Sequence, residues 1–331
     1  MSTSPSLTHA APALPWIRLI LGMGGACALP FFITNYHVFQ ASLVLCYAIA
    51  LVGLNILIGY SGQISLGHGA FMAIGAYTTA VLMDKFEMPY WMTIPIAAAV
   101  CLAVGFLFGL PALRLEGHYL ALATFALAVA LPQLLKFKHL EFLTGGVQGI
   151  VIMKPESPFE SLFGLKLNSD RWLYFFTLAV TVIMFVIGWN LIRGRVGRAL
   201  IAIRDQPIAA ASMGINTPLY KSLAFGVSAM FTGVAGGLSA ILVAFVAPDS
   251  FTVFLSITLM VGMVIGGVTS LPGALYGAIF VQFVPNLADQ ISKAAPWAIY
   301  GTLLILFMYV MPTGIAGALR LLGQKLRALM T

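Results

Sequence analysis

The chain has 331 residues, 60% of them hydrophobic and only 8% charged, with a formal net charge of +7. A soluble domain carries about 25% charged residues. This chain therefore cannot cover a water-facing surface of its size, and a soluble enzyme of any fold is excluded, as are disordered, collagenous and disulfide-rich chains.

Only helices and closed barrels satisfy their backbone in lipid. The apolar runs here are continuous and do not alternate with a period of two, so helices are expected. The fold class is all-α: a polytopic helical membrane protein of about ten transmembrane helices. In chain order the spans fall near 16–34, 38–58, 64–83, 92–113, 118–135, 172–192, 220–246, 252–267, 273–285 and 297–312. The run 252–285 is either two spans or a re-entrant element. It is interrupted at Gly266, Gly267, Pro272 and Gly273, where Gly and Pro loosen a helix.

Met1 to Pro15 holds no Lys or Arg. It lacks the basic region of a signal peptide, and the first apolar run is expected to stay as a span. The expected organisation is a cytoplasmic N-terminal segment 1–15, a transmembrane domain 16–312 and a basic cytoplasmic tail 313–331. Cys27, Cys46 and Cys101 each lie inside an apolar run with no metal-ligand spacing, so they read as small hydrophobes.

Ten spans put both termini on one side. That side carries ten basic residues (Arg18, Arg114, Arg193, Arg195, Arg198, Arg204, Lys221, Arg320, Lys325, Arg327) against Glu116 and Asp205. The other carries seven basic and eight acidic residues. Positive charge collects on the cytoplasmic side, so both termini are expected there. The basic balance is a topology signal and calls for no nucleic-acid partner. Residues 136–171 form a long outer connection. Lys136, Lys138, Glu141, Glu156 and Glu160 could receive a partner there, although a solvated connector is the plainer reading. Residues 193–219 form a long cytoplasmic loop. A faint echo links Ser65–Ala70 with Ser270–Leu275, too weak to establish a repeat.

No Asp, Glu, Lys or Arg falls near the middle of any expected span, which argues against a proton-driven carrier. No P-loop motif occurs, so this chain is not expected to bind ATP. His68 and His118 have no carboxylate or Cys at ligand spacing, and no catalytic motif is present. The segment Gly59–Phe71 packs four further-spaced glycines with several hydrogen-bonding side chains at a span entrance. It reads either as close helix packing or as a broken helix along a route, with Gln63, Ser65 and His68 facing a cavity. The pairs Gly105/Gly109, Gly233/Gly237, Gly262/Gly266 and Gly273/Gly277 suit close helix crossings.

The cytoplasmic loop is patterned. A first helical piece is expected over Val196–Arg204. Asp205 or Gln206 can cap a second, Pro207 fits its first turn, and Gly214 suits the left-handed residue past its end. Thr217–Pro218 is expected to cap the next span. The result is a short helix near 206–213 that leaves Ile208, Ala211 and Met213 without a core to cover them. Such an apolar knob ringed by Arg suits docking on a soluble partner, or lying on anionic lipid.

Five segments then fall into a known order: Gly59 to Tyr77, Leu115 to Thr124, Leu143 to Gly149, Gly197 to Phe225 and Gly266 to Ala274. Together they resemble the branched-chain amino acid permeases of ABC importers, the LivHM family, and its LivM-type subunit in detail. The loop at 193–219 resembles the coupling loop of such permeases. The resemblance implies a second, related permease subunit, two cytoplasmic ATPase subunits that use the ATP, a periplasmic substrate-binding protein, and a place in a bacterial inner membrane. It implies that no cofactor is held by this chain. It assigns ATPase coupling to Arg198, Arg204, Asp205, Pro207, Ile208, Met213 and Gly214. It adds Thr124 to Gln63, Ser65 and His68 as candidate route residues. One departure is Ala211, where the family commonly has Glu, so coupling has to rest on the shape of Ile208 and Met213. The implied function is ATP-driven import of leucine, isoleucine and valine. A urea or short-chain amide permease of the same superfamily and a sodium-coupled carrier are the alternatives, with a membrane scaffold as a third class.

Overall fold

The computed structural model describes residues 14–112, 117–157, 161–162, 165–166, 168–291, 296–311 and 313–321. The 1–13 part of the N-terminal segment, Arg114, Glu116, Pro158, Glu160, Lys293, Lys325 and Arg327 lie outside the described residues.

The helices are α1 Leu14–Phe32, α2 Asn35–Leu54, α3 His68–Lys85, α4 Tyr90–Ala112, α5 His118–Leu135, α6 Glu141–Thr144, α7 Ser169–Arg193, α8 Arg195–Asp205, α9 Pro207–Ser212, α10 Thr217–Val243, α11 Val253–Gly266, α12 Leu271–Ile291 and α13 Pro296–Val310. A π-turn over Asn55–Tyr60 prolongs α2. Each apolar run read as a span is helical over most of its described length, although 64–67 lies before α3 and 244–246 past α10. Among the described residues, six helices are long and apolar enough to cross a membrane: Asn35–Tyr60, Tyr90–Pro111, His118–Leu135, Ser169–Arg193, Thr217–Val243 and Leu271–Ala288. Val253–Gly266 is a shorter apolar helix. The last-but-one run extends to Ile291, beyond its expected end at 285, because Pro285 is accommodated inside α12. The 252–285 interruption is real: α11 stops at Gly266 and α12 restarts at Leu271.

The core is built around α10. Phe225, Phe231 and Leu238 are fully buried there, with Ile49, Leu51 and Leu54 of α2 and Phe71 of α3 in the same cluster. Phe71, Phe108 and Phe225 meet edge-on or tilted, with ring centroids 5.7–6.5 Å apart, a geometry aromatic quadrupoles favour. Small residues let the backbones approach. A Cβ on Gly75 would lie 2.1 Å from the Gly233 carbonyl oxygen, and one on Gly236 2.0 Å from that of Met72, so α3 and α10 touch backbone to backbone. Gly105 and Gly109 admit α10 onto α4, with the Cβ of Ala229 2.4 Å from the point a Gly105 Cβ would take. Gly262 and Gly266 of α11 face Gly277 and Gly273 of α12, again carbonyl against glycine. All four glycine pairs noted in the sequence are thus spent on helix crossings within this chain.

Apolar side chains on the outside of the bundle are the normal state of lipid-facing helices. Tyr119, Leu122 and Val129 of α5 and Ile183, Val186 and Trp189 of α7 are exposed in this way. The connection 136–171 has secondary structure of its own among the described residues. It holds α6, the pair β2 Ser161–Leu162 and β3 Leu165–Lys166, and β1 Ile150–Val151, which pairs antiparallel with β4 Phe245–Val246 just past α10. Lys136 is ion-paired with Asp249 and Lys154 with Asp170. Of the cysteines, Cys46 and Cys101 are buried and Cys27 is exposed, and all three are free thiols.

Candidate functional site

The segment after α7 folds as two helices outside the bundle. Gly194 is extended, and α8 turns back so that Gly197, Ala199, Leu200 and Ile203 are buried while its charged residues face outward. The close approach requires glycine at 197, because a Cβ there would lie 1.9 Å from the Ile192 carbonyl oxygen. Gln206 separates α8 from α9, and Pro207 occupies the first turn of α9, where its missing N–H costs nothing. Neither Asp205 nor Gln206 caps this helix: Gln206 makes no side-chain cap bond, and Asp205 accepts from Arg204 instead. Gly214 has φ +83° and stops the helix, its N–H bonding the Ala211 carbonyl. The cap of α10 is Asn216, whose side chain accepts from the Leu219 N–H, one residue before the Thr217 expected from sequence. Asn accepts in that position as well as Thr does.

This folding leaves a knob. Ile208 is 81% exposed and Met213 86%. Ala211 and Pro207 are also exposed, while Ala210 alone is buried beneath α9. Arg198 is exposed and donates to the Arg193 carbonyl. Arg193 in turn lies 3.8 Å from the centroid of the Trp189 ring, a cation–π contact.

Two interruptions of the bundle lie next to this segment. The first runs from Asn55 to Gly67. The π-turn shifts the backbone bonds: the Gln63 N–H, which an α-helix would give to the Gly59 carbonyl, goes to Leu57. The freed Gly59 carbonyl accepts from Nη1 of Arg204 at 2.7 Å. Gly62, at φ +72°, rests on the Arg204 stem, where a Cβ would lie 2.8 Å from Cγ. Gln63 Nε2 donates to the Lys221 carbonyl at 3.1 Å and to Ser61 Oγ at 2.7 Å.

The second interruption is Gly267–Ser270, and Asn55 holds it. Asn55 Nδ2 donates to the Ser270 carbonyl at 3.1 Å and its Oδ1 accepts from the Thr269 N–H at 2.7 Å. The Tyr60 hydroxyl donates to the Thr269 carbonyl at 2.8 Å. Thr269 has φ +65°, a strained value for a β-branched residue.

The sequence candidates Gln63, Ser65, His68 and Thr124 are all buried, and each is hydrogen-bonded within the protein. Thr124 accepts from the Leu66 N–H at 2.9 Å. His68 is bonded on both ring nitrogens. Ser228 gives its only proton to the Gly53 carbonyl at 2.6 Å, so Nε2 must be the donor in its 2.7 Å contact with Ser228 Oγ. Ser65 Oγ accepts from the Gly67 N–H and lies 3.2 Å from Nδ1. The network therefore places a proton on Nε2. In this conformation these residues lock the first break to α2, α5 and α10.

Sequence reasoning missed Asn55, Tyr60, Thr269, Ser228 and Ser256. Ser256 Oγ accepts the Gly69 N–H at 2.8 Å. Asn55 was visible as a lone amide in an apolar run, and such a group needs a partner.

A family model described as "Branched-chain amino acid transport system / permease component" matches residues 36–311. This chain belongs to that family. The permease is 35% identical over 310 residues to the "High-affinity branched-chain amino acid transport system permease protein LivM" of Escherichia coli K12, covering 88% of this chain and 72% of that protein. It is 34% identical, with the same coverage, to LivM of Salmonella typhimurium. It is 24% identical over 292 residues to the LivH permease protein of E. coli K12, covering 82% of this chain and 91% of that one. No solved structure matches it. The family resemblance read from the five segments is thereby shown, and the permease is a multi-pass helical membrane protein. A urea or amide permease and a sodium-coupled carrier are not favoured by this match.

Proposed function

We propose that this permease is the LivM-type membrane subunit of an ATP-driven importer for leucine, isoleucine and valine. It crosses a bacterial inner membrane ten times with both termini in the cytoplasm. It pairs with a second, related permease subunit, takes substrate from a periplasmic binding protein, and is driven by two cytoplasmic ATPase subunits. The segment 193–219 is the coupling loop, 136–171 the periplasmic connection and 313–331 a basic cytoplasmic tail.

The observation that carries this reading is the isolated helix Pro207–Ser212 with Ile208 and Met213 almost fully exposed, in a chain related to LivM over most of its length. An apolar knob on a rigid stalk has no use to a channel or carrier working alone. It suits a soluble partner that must move the bundle. The excess of basic residues on the same side supports the cytoplasmic placement. With Ala211 in place of a glutamate, the knob engages its partner by shape.

The chain reconstituted alone in proteoliposomes is expected to take up no leucine under a sodium gradient. Reconstituted with the companion permease, both ATPase subunits and the binding protein, it is expected to take up leucine only when ATP is present on the ATPase side. Sodium-dependent uptake by the single chain would overturn the proposal.

A further inference from the structure

A knob on a stalk moves spans only if something joins the stalk to them. Arg204 closes α8, and its guanidinium is oriented by the neighbouring Asp205, which accepts from Nε and Nη2 at 2.9 Å each. The third arm of the fork, Nη1, takes a carbonyl that the π-turn has released, that of Gly59. The start of α10, on the far side of the same segment, takes the same break through Gln63 and the Lys221 carbonyl. Arg204 within 193–219 and Lys221 just past its end therefore both hold residues 59–63. Those residues are continuous with Asn55 and Tyr60, which hold Thr269 and Ser270 of the second break, where the backbone is strained.

We propose that Arg204 is a positioning residue that relays displacement of the coupling segment through the Gly59 carbonyl to both helix breaks, with Asn55 as the joint between them. The inference rests on the reading of 193–219 as the coupling loop. A π-turn suits this role: it holds one more residue than an α-turn needs, so it can tighten or widen without breaking the helix on either side. The glycines are placed to permit the movement. Gly59 lets Asn55 Oδ1 pass at a point where a Cβ would lie 2.3 Å away, and Gly62 takes the left-handed bend against the Arg204 stem. The link is charge-assisted and directional, so it transmits pull as well as push.

The test uses the full reconstituted complex and reads leucine taken up per ATP hydrolysed. Arg204→Ala removes the donor to Gly59, and the ratio is expected to fall about tenfold, as loss of a charge-assisted hydrogen bond implies. Arg204→Lys keeps a cationic donor on a long stem but loses the fork that Asp205 orients, and is expected to give a ratio between those of Arg204→Ala and wild type. An unchanged ratio in Arg204→Ala overturns the relay while leaving the importer reading intact. Should Arg204→Ala fail to assemble with the ATPase subunits, the lysine variant decides: a ratio as low as about a tenth of wild type overturns the relay. A wild-type complex that shows no ATP-driven uptake overturns the importer reading instead.

Discussion

Replacing Gly236 by alanine is expected to break the central helix crossing and to abolish recovery of the folded permease. The new methyl group would sit 2.0 Å from the Met72 carbonyl oxygen and 3.1 Å from the Ala76 amide nitrogen. Neither neighbour is a flexible side chain that could turn aside. The α3 and α10 backbones would have to part by more than an ångström, and the buried Phe71, Phe225 and Phe231 packed around the crossing would lose contact. Overpacking of this kind costs about 1–3 kcal/mol where side chains can adjust, and more where only backbone can. A protein with a typical total stability of about 5–15 kcal/mol has little margin for it. Gly301→Ala is the control: no atom lies within 4 Å of the added methyl group, and alanine suits a helix better than glycine. The measurement is the monodisperse fraction and thermal midpoint of the detergent-purified protein. Equal midpoints for the two variants would show that the α3–α10 approach is not what holds the bundle.

Charging the knob is expected to have the opposite profile, with a stable permease that no longer binds its motor. Met213 is 86% exposed and touches no core, so Met213→Asp is expected to change stability by less than about 0.5 kcal/mol. If α9 seats in an apolar cleft of an ATPase subunit, the same substitution buries a carboxylate there without a partner. Truncated or mismatched anchors at the centre of an interface cost about 2 kcal/mol or more, which is roughly thirtyfold in affinity. Co-purification of the ATPase subunits in mild detergent measures the loss. Unchanged recovery, together with normal uptake, would mean that the motor grips some other part of 193–219.

The two variants separate what the sequence makes legible from what it hides. The helices were legible because each apolar run has to satisfy its own backbone, whatever it packs against. So was the shape of the segment 193–219, since Pro207 and Gly214 punctuate it by purely local rules. The cap was misplaced by one residue, because Asn216 and Thr217 are both good caps and only the fold chooses between them. The glycine pairs were legible as crossings, but not which helices cross. The joints were not legible at all. Arg204 and Gly59 lie 145 residues apart and Asn55 and Ser270 lie 215 apart. Nothing local marks which carbonyl of a widened turn will meet a distant side chain. His68 shows the converse: its chemistry drew attention, yet both its nitrogens are taken by serines, the nearby Ser65 and the distant Ser228, and only the fold supplies the second.

The account stands on α9 being a cytoplasmic handle. Ile208→Cys, made with Cys27, Cys46 and Cys101 replaced by alanine, can be treated with a membrane-impermeant maleimide in sealed vesicles of either orientation. Labelling is predicted only in inside-out vesicles, and is predicted to be blocked when the ATPase subunits are bound. Labelling from the outer face, or none in either orientation without the ATPase subunits, would place Ile208 outside the cell or in lipid and contradict the account.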